Sequence, residues 1–191
     1  MGNYYQTNCH EYHKRTFSAD SSSFLDPFVK MLPPGASILD VGCGSGRDLL
    51  WLKNLGFQVT GFEQSSGLAN LARKYTGCEI IEGDFETYNF NTLKFDAILA
   101  SGSLVHVPHS RLIPAIANIN PTLDRNGIFY LSLKQGDDFQ TDRTKRTFYL
   151  WQDAELRGVF NRLNFEVIHF SNTESVINSN DLWLGYVLKI K

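Results

Sequence analysis

The nine residues ILDVGCGSG, Ile38 to Gly46, restrict the fold of this chain more than any other stretch. An apolar run passes an aspartate, and three glycines then follow at alternate positions. Such a run reads as a buried strand, and bare glycine beyond it lets other groups approach the backbone closely. Comparable runs are FQVTGFE (57–63), CEIIEGD (78–84), FDAILAS (95–101), GIFYLSLK (127–134), FEVIHF (165–170) and LWLGYVLKI (182–190). Helical patterns lie between them. Leu49, Leu50 and Leu52 follow the glycines, and Leu68, Leu71 and Ala72 follow the second strand. Leu112, Ile113, Ile116 and Ile119 form one helical stripe, and Leu156, Val159, Phe160 and Leu163 another, with Asp153 as its expected N-cap. Strands alternating with helices predict a mostly parallel sheet covered on both faces. SNTESVINSND, between the last two strands, is too short for a helical crossover, so those strands are expected to pair antiparallel.

A chain of 191 residues can bury a sizeable core, and without repeat or linker it reads as one domain. A net charge of −2 gives no strong basic field, so neither nucleic acid nor an anionic membrane is the expected partner. No apolar run approaches the length of a membrane span, and MGNYYQTNCHEYHKRTF has no signal-like apolar core. Cys9, Cys43 and Cys78 lack CxxC spacing and read as reduced thiols of a cytoplasmic protein.

In open α/β sheets ligands bind beyond the carboxyl ends of the strands. Here the first three strands end on or just before acids: Asp40, Glu63 and Asp84. Gly42 to Arg47 lacks the spacing and lysine of a P-loop. It also departs from GxGxxG: the third glycine comes one residue early, and Asp40 would repel a pyrophosphate. A ligand with a cation and several hydroxyls suits these carboxylates better. S-adenosylmethionine is such a ligand.

From about Ile38 to Leu163 the chain resembles the class I S-adenosylmethionine-dependent methyltransferases of small-molecule type. The resemblance implies a Rossmann-like three-layer αβα sandwich. Its seven-stranded, mostly parallel sheet would carry one antiparallel strand near the edge. It implies a single domain over 1–191, with a cofactor-covering segment at 1–32 and a core at 36–191. It also implies the cofactor residues. Asp40 and the loop Gly42, Cys43, Gly44 and Gly46 match the first motif, with the backbone rather than the thiol of Cys43 expected to matter. Glu63, with Gln64 beside it, matches the ribose-binding position, and Asp84 with Phe85 the adenine-binding one. Ser101 opens the turn that lines the methionine part, and Tyr12 is a contact from the covering segment. Arg47 either reaches the cofactor carboxylate or simply begins a helix.

For chemistry the candidate base is His106, just after the fourth strand. The HxxH pairs His106/His109 and His10/His13 lack companion ligands, so no metal is expected. In QGDDFQTDRTKRTFYLW, Arg143, Lys145 and Arg146 would steer an anionic acceptor, while Phe148, Tyr149 and Trp151 either wall a pocket or enter the core. The expected reaction is in-line methyl transfer to a small-molecule acceptor by a monomer or homodimer. The alternatives are a non-catalytic S-adenosylmethionine-binding module and a nicotinamide-dependent oxidoreductase.

Overall fold

The computed structural model describes residues 2–177 and 181–191. Three short helices come first: α1 (Gly2–Thr7), α2 (Cys9–Thr16) and α3 (Ser22–Val29). Alternation then sets in with β1 (Ser37–Val41), α4 (Arg47–Asn54), β2 (Gln58–Glu63), α5 (Ser66–Thr76) and β3 (Glu79–Glu82). It continues through β4 (Phe95–Ser101), α6 (His109–Ile119) and β5 (Leu123–Lys134). A small hairpin of β6 (Phe139–Thr141) and β7 (Thr147–Tyr149) precedes α7 (Asp153–Arg162), β8 (Phe165–Glu174) and β9 (Leu182–Ile190).

Seven strands form one sheet in the order β3-β2-β1-β4-β5-β9-β8. Only β9 runs against its neighbours, pairing antiparallel with both β5 and β8. The sheet is thus the expected mostly parallel one with a reversed strand beside its edge. Part of the connection between β8 and β9, 178–180, lies outside the described residues.

Strand side chains alternate between faces, and the core divides accordingly. Leu39, Ile98, Phe129 and Leu131 meet Leu112, Ile116, Leu156 and Phe160 of α6 and α7. Ile38, Ala97, Leu99 and Tyr130 meet Leu25, Phe28 and Leu52 of α3 and α4 on the other side. Helices therefore cover both faces. No helix among the described residues is long and apolar enough to cross a membrane.

Local chemistry explains where α7 departs from expectation. Its N-cap is Gln152 rather than Asp153, and the Glu155 carboxylate accepts the Gln152 N–H at 2.8 Å. Asp153 instead faces sideways, accepting from Arg157 Nε at 2.9 Å and from the Tyr186 hydroxyl at 2.8 Å. After α7 the chain turns at Asn164 with φ of 60°, a left-handed conformation that asparagine tolerates.

The order of strands reverses at β1, which pairs with β2 on one side and β4 on the other. Loops leaving the carboxyl ends of β1 and β4 consequently diverge and leave a crevice there.

Candidate active site

The glycine loop sits at this crevice. Gly42 and Cys43 both donate their N–H to the Phe62 carbonyl, at 2.7 and 3.1 Å, which folds the loop back over β2. Gly42, Gly44 and Gly46 all have positive φ, at 76°, 58° and 91°. Their surroundings differ. A Cβ on Gly42 would fall 2.4 Å from the Cβ of Ser103 in the loop after β4. One on Gly46 would strike Thr76 and Ala72 of α5. On Gly44 it would meet only the Tyr12 ring, at 3.5 Å.

Glu63, 8% exposed at the end of β2, organises the loop. Its Oε2 accepts the Gly44 N–H and its Oε1 the Ser65 N–H, both at 2.8 Å. Burial pushes its carboxyl pKa up, while these N–H donors pull it down. Asp40, 2% exposed in β1, lies beneath. Burial and its acidic neighbours Asp48 and Glu63 hold its pKa well above the usual carboxylate range, and Arg47 opposes them.

Two adjoining cavities occupy the carboxyl edge of the sheet. The smaller, about 90 Å³, is lined by Gly42, Gly44, Glu63, Gln64, Phe85 and Ser103, among others. Gln64 donates to Asp84 at 3.0 Å, so the acid expected to serve adenine is tied to the rim without itself lining the space. The Ser103 hydroxyl is buried against this cavity and has no protein partner. Such a group is left for a ligand or water to satisfy.

The larger cavity, about 430 Å³, is walled by Tyr130, Phe148 and Trp183 and bears Lys134 and Arg146. Tyr5, Tyr12 and Gly102 line both spaces. Helix α1 is tied down beside them: Gln6 Oε1 accepts the Ser65 hydroxyl at 3.1 Å and the Gly67 N–H at 3.2 Å.

Three cations that line the larger cavity, Arg47, Lys134 and Arg146, are paired with carboxylates. Arg47 is the first residue of α4 and also lines the cavity, its guanidinium forked onto Asp48 at 2.7 and 2.8 Å. It thus begins the helix while its side chain borders the cavity. Lys134 pairs with Asp181 at 2.7 Å and lies over the Phe148 ring. Arg146 pairs with Asp142 at 2.6 Å, whereas Arg143 and Lys145 are exposed and line neither cavity. Of the aromatic trio, Phe148 walls the larger cavity and Trp151 enters the core. Tyr149 is half-buried, edge-on to His109.

Four candidates fall outside the cavity linings. Asp40 and Asp84 stand behind residues that do line them. Gly46 is a packing position. Cys43 points its thiol toward Leu49, Ala69 and Ile80, and the Gly46 N–H takes its carbonyl. Burial raises the thiol pKa well above its usual range. Cys43→Ala is therefore expected to leave S-adenosylhomocysteine affinity within about twofold while lowering stability by ~1 kcal/mol, the scale for losing a small buried group. Calorimetry and thermal unfolding check this, and a large loss of affinity would return the thiol to the site.

His106 is 7% exposed, and both ring nitrogens are engaged, by Tyr5 and by the Thr147 carbonyl. It lines the smaller cavity but not the larger. His109 serves structure, hydrogen-bonded to the Leu150 carbonyl at 2.7 Å. Among the described residues no three or more of His, Cys, Asp and Glu cluster as a metal site. Sequence reasoning passed over Tyr5, Lys134, Tyr130 and Trp183, which long-range packing alone brings to the cavities.

Sheet order, a GxGxG loop at the switch point and acids at successive strand ends define the class I S-adenosylmethionine-dependent methyltransferase fold. Residues 38–127 match the family model described as a methyltransferase domain. It is 32% identical over 106 residues to a ubiquinone biosynthesis O-methyltransferase of Xanthomonas campestris, covering 52% of this chain and 43% of that protein. The chain thus spans less than half the length of that relative. In fold it matches a 1,6-didemethyltoxoflavin-N1-methyltransferase of Burkholderia thailandensis, solved with 1,6-didemethyltoxoflavin and S-adenosylhomocysteine. The TM-score is 0.76 at 18% identity, over 97% of this chain and 85% of that one. A TehB-like methyltransferase of Corynebacterium glutamicum gives 0.74 at 23% identity, over 96% and 98%.

Proposed function

We propose that this chain transfers a methyl group from S-adenosylmethionine to a small molecule held in the larger cavity. One observation carries the reading: a small cavity edged by Glu63 and the glycine loop adjoins a larger aromatic one, with Tyr5, Tyr12 and Gly102 on both linings. That is the arrangement a donor and an acceptor need in order to meet in line. The cofactor, when bound, supplies a methyl group already activated by its positive sulfur.

The protein's part is to bind and align. Glu63 keeps lone-pair capacity beyond the backbone N–H groups it accepts and would take ribose hydroxyls. Ser103 would gain the partner it lacks. Phe85 would face the adenine with Asp84 held behind it by Gln64, and Asp40 would act on the cationic end from beneath the loop. Tyr12, Arg47 and Ser101, all on the larger cavity's lining, would border the methionine portion. A cavity of about 430 Å³ suits a small molecule rather than a polymer. Three free cysteines suit a reducing, cytoplasmic setting.

Titration calorimetry with S-adenosylhomocysteine tests the donor site, and transfer of labelled methyl to a metabolite panel tests the activity. Absence of binding refutes the reading, and binding without transfer to any metabolite favours a non-catalytic module. The binding also has a proton signature. Asp40 is held above its ordinary pKa, so as pH falls the free protein takes up that proton before the unfolded chain would. A cation placed beside Asp40 favours the carboxylate, so S-adenosylmethionine should expel protons on binding. Calorimetry below neutral pH, in two buffers of different ionisation enthalpy, should show that release. Proton uptake would contradict the assignment of Asp40.

A further inference from the structure

We propose that Tyr5 and His106 form a proton relay leading out of the larger cavity, which fits the site to an acceptor that attacks through a phenolic hydroxyl. The proposal rests on the methyl-transfer reading above. Its basis is a chain of three hydrogen bonds. The Thr147 carbonyl lies 2.6 Å from His106 Nδ1 and can only accept, so Nδ1 carries the proton. Nε2 then offers a lone pair, and the Tyr5 hydroxyl donates to it at 2.7 Å. Arg146 Nη1 donates to the Tyr5 oxygen at 3.3 Å. The guanidinium is itself fixed by Asp142, through Nε at 2.9 Å and Nη2 at 2.6 Å.

Position decides which member meets the acceptor. The imidazole packs on Phe148, ring centres 4.6 Å apart, and lies off the larger cavity, while the Tyr5 phenol lines both spaces. A base role for His106 therefore runs through Tyr5. Tyr5 touches the acceptor, and His106 receives the proton behind it.

The step balances. An acceptor oxygen uses a lone pair to form the new O–CH₃ bond as the S–CH₃ bond breaks, its electron pair staying on sulfur. The acceptor's proton passes to the Tyr5 oxygen, and the proton already on Tyr5 moves to Nε2. The resulting imidazolium keeps its bond to Thr147; once the product has left, Nε2 returns its proton to the Tyr5 oxygen as Tyr5 gives its own to water entering the cavity.

The charges around the pair suit this traffic. Burial, with Arg146 and Lys134, keeps the imidazole pKa below its ordinary 6.5, opposed by the Thr147 carbonyl and Asp142. The ring is thus neutral and receptive at neutral pH. Burial and Tyr12 hold the Tyr5 phenol protonated against the pull of Arg146, with Tyr4 adding slightly. A relay of this kind matters for a weakly acidic hydroxyl. A thiol of ordinary pKa ~8.5 is partly ionised at neutral pH, and a free amine already presents a lone pair. The rings of Tyr130, Phe148 and Trp183 favour a flat aromatic body on that hydroxyl.

Three measurements test this on the full chain, with Tyr5→Phe and His106→Asn compared after thermal unfolding confirms that they fold. Calorimetry with S-adenosylhomocysteine comes first. If wild type fails to bind, the methyl-transfer reading falls and the relay with it. If it binds, ¹⁵N NMR of histidine-labelled protein in that complex reads the relay alone. His106 should be neutral and Nδ1-protonated at pH 7, with an Nε2 signal that moves in Tyr5→Phe. The opposite tautomer, or an Nε2 signal indifferent to Tyr5→Phe, overturns the proposal. Labelled methyl transfer is then compared for catechol, aniline and thiophenol. Transfer should favour catechol, with kcat at least ~100-fold lower in both variants and KM little changed, the range of general-base effects. The wild-type rate should fall on the acid side below pH 6.5, and His106→Asn should abolish that limb. Preference for aniline or thiophenol, or full kcat in either variant, overturns it.

Discussion

Glu63→Ala is expected to weaken S-adenosylhomocysteine binding by about a hundredfold or more. Hydrogen bonds to a charged group contribute ~1.5–3 kcal/mol each, and this carboxylate is the one proposed to accept ribose hydroxyls. The substitution also strands the N–H groups of Gly44 and Ser65, whose only acceptor oxygens here belong to Glu63. Unpaired buried donors cost ~1–3 kcal/mol apiece, so the ligand-free protein should lose stability too, less whatever entering water restores. Glu63→Gln separates the two effects. The amide keeps the volume, but its NH₂ end would confront a backbone donor, so the loop should still be disturbed. Calorimetry reads the first effect and thermal unfolding the second. Unchanged affinity in both variants would remove Glu63 from the cofactor site.

Gly46→Ala should act on stability instead. Gly46 has φ of 91°, and its added Cβ would lie 2.6 Å from Thr76 Cγ2 and 3.2 Å from both the Cα and Cβ of Ala72. Left-handed backbone costs a non-glycine residue ~1–2 kcal/mol, and overpacking adds ~1–3 kcal/mol. A loss of about 3 kcal/mol lowers Tm by roughly 6–12 °C for a chain of this size. Gly44→Ala is the contrast, because its Cβ reaches only ordinary contact with Tyr12. It should cost less stability, and its main effect should be on ligand affinity. The two glycines look alike in the sequence and separate only by what faces them. A Gly46→Ala protein with wild-type Tm would disprove this packing role.

Local pattern explains why most of the sheet could be read from the sequence. Each sheet strand is a short β-branched or aromatic run, and β4 and β9 fall where those runs begin and end. The exceptions are also local. Strand β5 starts at Leu123, before Gly127, because Leu123 still pairs with Phe95 across an irregular register. Strand β8 runs on to Glu174 through polar residues that pair with β9. The β6–β7 hairpin and helices α1 to α3 went unread, being short and weakly patterned. In the site, the loop and acids were legible because each sits at the end of its own strand. The bonds from Tyr5 to His106 and to Arg146 span 101 and 141 residues, and no spacing rule encodes such distances.

The reversed β9 has a consequence of its own. Because it runs backward, it brings its beginning to the edge where the parallel strands finish, so Asp181, Trp183 and Gly185 reach the larger cavity. The smaller cavity draws on the two N-terminal helices, on β2 and on the loops after β1, β3 and β4, and on nothing beyond His106. The last fifty residues thus border the larger cavity alone. On the methyl-transfer reading, change there would alter which molecule is accepted and leave the lining of the smaller cavity as it is.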